Sequence, residues 1–341
     1  MEKPIIVPID RALLKAELTP DKMLRKTNKA NNEIYIFTAH TSPNLMLEIG
    51  RLRELSFRDS GGGTGNEIDT DEFDYMESPY TQLIVWDPKA EEILGGYRFI
   101  HGSDVAYDEN GQPLLSTAHM YHFTEKFNKE YMPHTLELGR SFVQPAYQSS
   151  KMGSKSLFAL DNLWDGLGAL AVIVPNSKYF FGKFTMYPTF NREARNMILY
   201  YIQKYFPDPD KLVYPLTPLE LNINYPRMET LFNTGDMVQD YKILNKLVRS
   251  YNCNIPPLVN AYVSLSPTMK NFGCAVNHEF AEVEETCILV TIADIFEEKR
   301  KRYIELFLQS VSVNVIRLLR NRWIKRKFRK KTKNTGRPQI L

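Results

Sequence analysis

The chain has little cysteine, no long apolar run and, from Arg317 to Leu341, no acidic residue at all. Its three cysteines, Cys253, Cys274 and Cys287, match no metal-ligand spacing and are an odd number for a disulfide set. They exclude a disulfide scaffold and fit a reducing, cytoplasmic setting. No stretch reaches the roughly 18–20 apolar residues that a membrane span requires, so any membrane association is expected to be peripheral. Residues 1–10 lack the basic-then-apolar pattern of a secretory leader. Histidine is also scarce, at six. His119 and His122 with Glu125 lack a further ligand, so no metal site is expected. Cys274 near His278 has no third partner and reads as a small buried side chain. No nucleophile elbow is present, and nothing resembles a nucleic-acid-binding module.

What is present is a core-forming composition, 43% hydrophobic and 12% aromatic over 341 residues. That is enough for one elaborated domain or two closely packed ones. The net charge of +3 conceals a division: Arg317–Leu341 holds eleven basic residues, and the remainder, with 32 basic against 40 acidic, carries −8. A basic tail on an acidic body points to an anionic partner.

Hydrophobic periodicity predicts a strand at Glu33–Thr38 and a helix from Pro43 to about Arg58, with Ser42 as its cap. A glycine-rich stretch, Ser60–Glu67, leads to the acidic residues Asp69, Asp71, Glu72 and Asp74. Tyr80–Asp87 and Ile93–His101, separated by a short polar segment, predict an antiparallel hairpin. Leu136–Val143 is a further buried strand that ends before Pro145. The loop Gln148–Ser156 then opens a helix over Leu157–Val174. Tyr179–Met186 and Thr286–Ile292 read as strands, Asn191–Phe206 and Met237–Tyr251 as helices. Asp208–Gln239 is loop-rich and polar, Pro256–Leu265 and Gly273–Ala275 lie in a Pro/Gly-punctuated region, and the last helix is expected to run from near Ala293 into the basic tail.

Several segments carry chemistry in order: Arg53 with Phe57, Asp71–Asp74, Gly95–Arg98, and Glu137–Arg140 followed by Pro145–Tyr147. The set resembles the acyl-homoserine-lactone synthases and related acyl-carrier-protein-dependent N-acyltransferases of the GNAT superfamily. Ile255–Phe280, with Leu163–Leu167 and Tyr179–Gly182, is similar to the bacterial ornithine-lipid and glycine-lipid N-acyltransferases, often called hemolysin-like. Asn277 stands where that family's pattern has an aspartate. The resemblance spans roughly residues 33–310. It implies an α/β GNAT fold, an open mixed sheet flanked by helices, extended by a C-terminal portion and a basic helix. It also implies transfer of a long-chain, 3-hydroxy fatty acyl group from acyl-carrier protein to the amine of glycine or ornithine, giving an N-acyl amino acid for lipid biosynthesis. No permanently bound cofactor is implied; the phosphopantetheine thioester, or an acyl-CoA, is the donor.

The residues assign roles accordingly. Glu137, on a buried strand, is the candidate base that accepts the amine proton, with Arg98 and Arg140 completing the catalytic set. The alternative is that Glu137 only pins strands together through Arg140, Arg98 or Arg53. Asp71, Asp74, Arg53 and Phe57 are the acceptor-site candidates. The strand end at Ser141 and Val143, with Lys151, Gly153, Ser154 and Lys155 of the following loop and helix start, is the candidate phosphopantetheine contact. That loop lacks the second glycine usual in acetyl-CoA-using members, which turns the expectation from CoA toward a carrier-bound arm.

The tail, with Trp323 at headgroup level and dense Lys/Arg, suggests an anionic membrane surface or an acidic acyl-carrier protein. The expected division is an extension over 1–30, an acyltransferase core over 31–250, its C-terminal part over 251–310 and a basic amphipathic tail over 311–341. An acetyl-CoA-dependent acetyltransferase and a non-catalytic membrane-binding adaptor are the rival readings.

Overall fold

A computed structural model of the chain describes residues 2–148, 154–312, 315–321 and 323, with backbone alone for 154–157. Its strands are β1 (Met23–Lys26), β2 (Glu33–Phe37), β3 (Thr81–Asp87), β4 (Glu92–His101), β5 (Tyr121–Phe123), β6 (Thr135–Val143), β7 (Tyr179–Met186), β8 (Val213–Pro215), β9 (Lys270–Asn277) and β10 (Val283–Thr291). Eight of them form one sheet in the order β1-β2-β3-β4-β6-β7-β10-β9; β5 and β8 make a separate pair. Every neighbouring pair in the large sheet is antiparallel except β6 and β7. This is the open, mixed α/β sheet that the sequence resemblance implies.

The helices that cover it are α1 (Arg11–Glu17), α2 (Pro43–Asp59), α3 (Glu72–Tyr75), α4 (Ser154–Ile173), α5 (Arg192–Tyr205), α6 (Tyr225–Leu231), α7 (Met237–Ser250) and α8 (Pro257–Val263). One face carries the largest core, where Leu163, Leu167 and Leu170 of α4 meet Leu83, Phe99 and Leu136 of the central strands, with α5, α7 and α8 beside them. Opposite, Leu45, Ile49 and Leu52 of α2 pack on Phe37, Ile84 and Trp86. A third cluster puts Phe181, Leu289 and Cys287 against Tyr121, Phe123 and Phe127. Strand alternation sends successive side chains to opposite cores, so β6, β7 and β10 each serve both faces.

The hairpin, the β6 and β7 strands and the helices α2, α4, α5 and α7 lie where periodicity placed them, and four expectations need correction. Pro43 does open α2, but the Ser42 hydroxyl makes no cap bond and instead accepts from Lys22 Nζ at 2.8 Å. The segments read as loop-rich or Pro/Gly-punctuated hold the short helices α6 and α8 and the strands β8 and β9; pairing with β5 and β10 outweighs the weak local signals of the two strands. The C-terminal helix is not continuous from Ala293: short helical turns reach Ser310, Val311 is extended (φ −127°, ψ 129°), and residues 315–321 are helical again. Trp323, expected at a membrane surface, is instead 8% exposed and stacked on Phe99, ring centroids 5.7 Å apart. The sheet face offers its indole an apolar seat that lipid would only duplicate. Most of the tail lies outside the described residues.

Candidate active site

β6 and β7 run side by side only from Thr135–Glu137 against Tyr179–Phe181. Beyond that the two strands part, and their facing edges make no ladder with each other. The cause is legible in β6. Its pairing with β4 slips so that Arg140 and Ser141 together oppose Tyr97, and Arg140 takes a left-handed φ of 52°. This extra residue is a β-bulge, which bends the strand and leaves part of its backbone unpaired. Gly95 and Gly96 of β4 make the close approach possible: a Cβ there would lie 2.4 Å from the Phe142 carbonyl oxygen and 2.6 Å from that of Leu83.

The fork holds a cavity of about 310 Å³. On the α4 side it is apolar, lined by Leu138, Leu160, Leu163, Trp164, Leu258 and Tyr262. On the other side its wall is polar, with Asp71, Arg98, Arg140, Lys183, Tyr187 and Glu285. One apolar and one polar limb therefore meet where β6 and β7 separate.

Three arginines and three aspartates fix the polar limb. Arg98 Nη1 and Nη2 donate to Asp71 at 2.6 and 2.7 Å, and Nη1 lies 3.1 Å from Asp74. Arg53, fully buried, reaches Asp74 at 3.3 Å and Gln82 at 2.5 Å. Arg140 approaches Asp69 at 3.3 Å and Asp71 at 3.4 Å, and lies over the Phe280 ring. Burial opposes ionisation of Asp71, but the Arg98 hydrogen bonds and the neighbouring guanidinium charges hold its carboxyl well below the usual carboxylate range. Asp71 is thus a fixed charge with no tendency to take a proton at neutral pH. Burial pushes Asp69 the other way, up, against the attraction of Arg140 and Arg53.

The sequence-predicted residues separate into two groups. Phe57, Asp71, Arg98, Arg140 and Ser141 line the cavity; Arg53 and Asp74 sit behind it in the same ionic network. Glu137 is not on the cavity wall. Its carboxylate accepts from the Tyr80 hydroxyl and from Thr117 Oγ1 at 2.9 Å, and burial raises its pKa against those bonds and the charges of Arg98 and Lys183. Val143 also lies off the wall. Lys151 and Gly153 lie outside the described residues, as do the side chains of Ser154 and Lys155.

His119 lines the polar limb, 3.9 Å from Glu279, whereas His122 packs on Tyr214. Among the described residues no group of three or more His, Cys, Asp or Glu is placed to hold a metal. Burial pushes the Cys274 thiol up to about 12, and His278 pairs with Glu282 at the surface.

The clearest residues that sequence reasoning missed are Lys183 on β7 and Glu285 on β10. They form a largely buried ion pair on the cavity wall, and Thr185 Oγ1 donates to Glu285 at 3.4 Å. The available signal was a charge within each aromatic or aliphatic strand.

Residues 52–156 match the family model described as an acetyltransferase (GNAT) domain. Over 305 residues the chain is 60% identical to the glycine N(alpha)-acyltransferase of Phocaeicola vulgatus, covering 89% of this chain and 94% of that one. Over 306 residues it is 59% identical to the glycine N(alpha)-acyltransferase of Bacteroides thetaiotaomicron, covering 90% and 91%. The chain belongs to the glycine N(alpha)-acyltransferase family. No solved structure matches it.

The protein is an N-acyltransferase, and the forked cavity is its candidate site. An apolar limb suits an acyl chain. The polar limb presents fixed cations and carboxylates to an amine. The enzyme has no helix long and apolar enough to cross a membrane among the described residues.

Proposed function

We propose that this acyltransferase moves a long-chain, 3-hydroxy fatty acyl group from the phosphopantetheine thioester of acyl-carrier protein to the amine of glycine. The product is an N-acylglycine, an aminolipid precursor. The observation that carries the proposal is the forked cavity that joins the apolar limb to the Lys183–Glu285 pair. Its volume of about 310 Å³ falls at the lower end of small-molecule sites, roughly 300–1,000 Å³. The relatives' name supplies glycine as acceptor.

In this reading, the acceptor's carboxylate meets Lys183 and Arg140 while its ammonium meets Glu285. Glu285 takes one proton from the ammonium, which frees the nitrogen lone pair, and the neutral amine then attacks the thioester carbonyl. The carbonyl oxygen gathers charge beside the β6 bulge, the carbon–sulfur bond breaks, and the thiolate takes the second proton of the attacking nitrogen to leave as thiol, giving the neutral amide. No covalent enzyme intermediate is needed. The base role moves from Glu137, which both Tyr80 and Thr117 occupy, to Glu285 on the cavity wall. Asp71 and Asp74 hold Arg98 and Arg53 in place around the limb.

The acidic carrier docks on the basic segment Arg317–Leu341, and the same charge holds the enzyme at the anionic inner face of the cytoplasmic membrane. Thiol release from acyl-carrier protein and from acetyl-CoA, with glycine or ornithine as acceptor, tests the reading. The expected result is release from the long-chain carrier thioester with glycine. Release from acetyl-CoA alone would replace it with an acetyltransferase.

A further inference from the structure

The apolar limb carries two tyrosines whose hydroxyls hydrogen-bond no described residue. Tyr97, from β4, lines the cavity with its ring; its hydroxyl is buried and has no hydrogen-bond partner. Tyr262, from α8, reaches the vertex of the fork. A Cβ on Gly182 would lie 3.8 Å from the Tyr262 oxygen and 3.4 Å from the Leu138 carbonyl oxygen. The Tyr262 ring packs edge-on against Trp164, and no described residue hydrogen-bonds its hydroxyl. A buried hydroxyl without a partner, as at Tyr97, is destabilising, whereas Tyr262 is half-buried on the cavity wall. Phenylalanine in place of Tyr97 would fill the same volume without that cost, and the Tyr262 hydroxyl stands on the same wall free to meet a ligand oxygen.

We propose that these hydroxyls read an oxygen on the acyl chain, Tyr262 hydrogen-bonding a chain hydroxyl and Tyr97 lending polarity behind it. The proposal rests on the acyltransferase reading above and names residues that determine donor specificity within it. Position follows from the strand. Leu138, which like the Tyr262 oxygen borders Gly182 in the fork, precedes the bulge residue Arg140 by two residues, about 7 Å along β6 at ~3.4 Å per residue. A hydrogen bond spans ~2.8 Å of that distance. The recognised hydroxyl is therefore borne within a few bonds of the thioester carbonyl, as in a 3-hydroxyacyl chain, and not far down the hydrocarbon.

The test is the ratio of kcat/KM for 3-hydroxyhexadecanoyl and hexadecanoyl thioesters of the same carrier, with glycine as acceptor. One net hydrogen bond corresponds to a preference of roughly five- to tenfold for the hydroxylated donor. Tyr262→Phe should bring the ratio near one, and Tyr97→Phe should lower it in the same direction. A change that only disturbs the fold slows both donors and leaves the ratio intact, and that outcome overturns the proposal. So does an unmodified enzyme with no preference. Transfer from neither donor by the unmodified enzyme would instead overturn the acyltransferase reading. If a variant does not fold, binding of N-(3-hydroxyacyl)glycine and N-acylglycine to the unmodified enzyme decides: equal affinities refute the assignment.

Discussion

Glu284 and Glu285 are adjacent on β10, both nearly buried, and point to opposite faces of the sheet. Glu284 meets Arg192 and Arg195 of α5, the latter at 2.8 Å, inside the fold. Glu285 meets Lys183 in the cavity. Conversion of each to glutamine removes one charge at nearly constant shape, so the two variants separate architecture from chemistry. Glu285→Gln deletes the proposed proton acceptor, and loss of a positioned general base lowers rate by about 10²–10⁴-fold. Glu284→Gln breaks a pair with the buried Arg195 side chain, so the cost is to stability, roughly 3 kcal/mol, with catalysis in the surviving folded protein near that of the parent. Steady-state thiol release at saturating donor, beside denaturant unfolding of both variants, measures the two effects. The reasoning is refuted if Glu285→Gln retains kcat/KM within about threefold of the parent.

Three further outcomes follow from single positions. Gly182→Val places a branched side chain in the fork between Leu138 and Tyr262; transfer from long-chain donors should fall at least about tenfold, seen as a drop in product formation, and an unchanged rate would show that the acyl chain takes another path. Trp323→Ala should cost about 3–5 kcal/mol, read in denaturant unfolding, because its indole stacks in the core; no loss would place that side chain outside it. Asp165, whose carboxylate accepts from Asn28 at 2.8 Å, has its pKa raised by burial, against the Asn28 bond and Arg25, to about 6. A carboxyl raised in the folded state favours folding while protonated, so this contribution is present below about pH 4 and lost as the pH rises through about 6. Between pH 4 and 7 the parent should lose roughly 2 kcal/mol more stability than Asp165→Asn, measured by denaturant titration; parallel profiles would contradict it.

Local periodicity was sufficient to place β3, β4, β6 and β7, and the ordered motifs brought Arg98, Arg140 and Asp71 to one wall. The pair that matters most to the proposed chemistry was not legible, because Lys183 and Glu285 are about a hundred residues apart and meet only through β7–β10 pairing. Glu137 illustrates the opposite limit. Its strand and burial are readable, but whether it faces the cavity depends on where β6 bends, and that bend is one residue in left-handed backbone at Arg140. β9 escaped notice because Gly273 (φ 89°) interrupts its pattern and β10 supplies its partner.

The most direct measurement is mass spectrometry of the product formed by the purified enzyme from a long-chain acyl-carrier-protein thioester and nitrogen-15 glycine. An amide with the heavy nitrogen bonded to the acyl carbonyl, formed in step with free thiol, is the expected result. Thiol release with no labelled amide would contradict transfer to the glycine nitrogen.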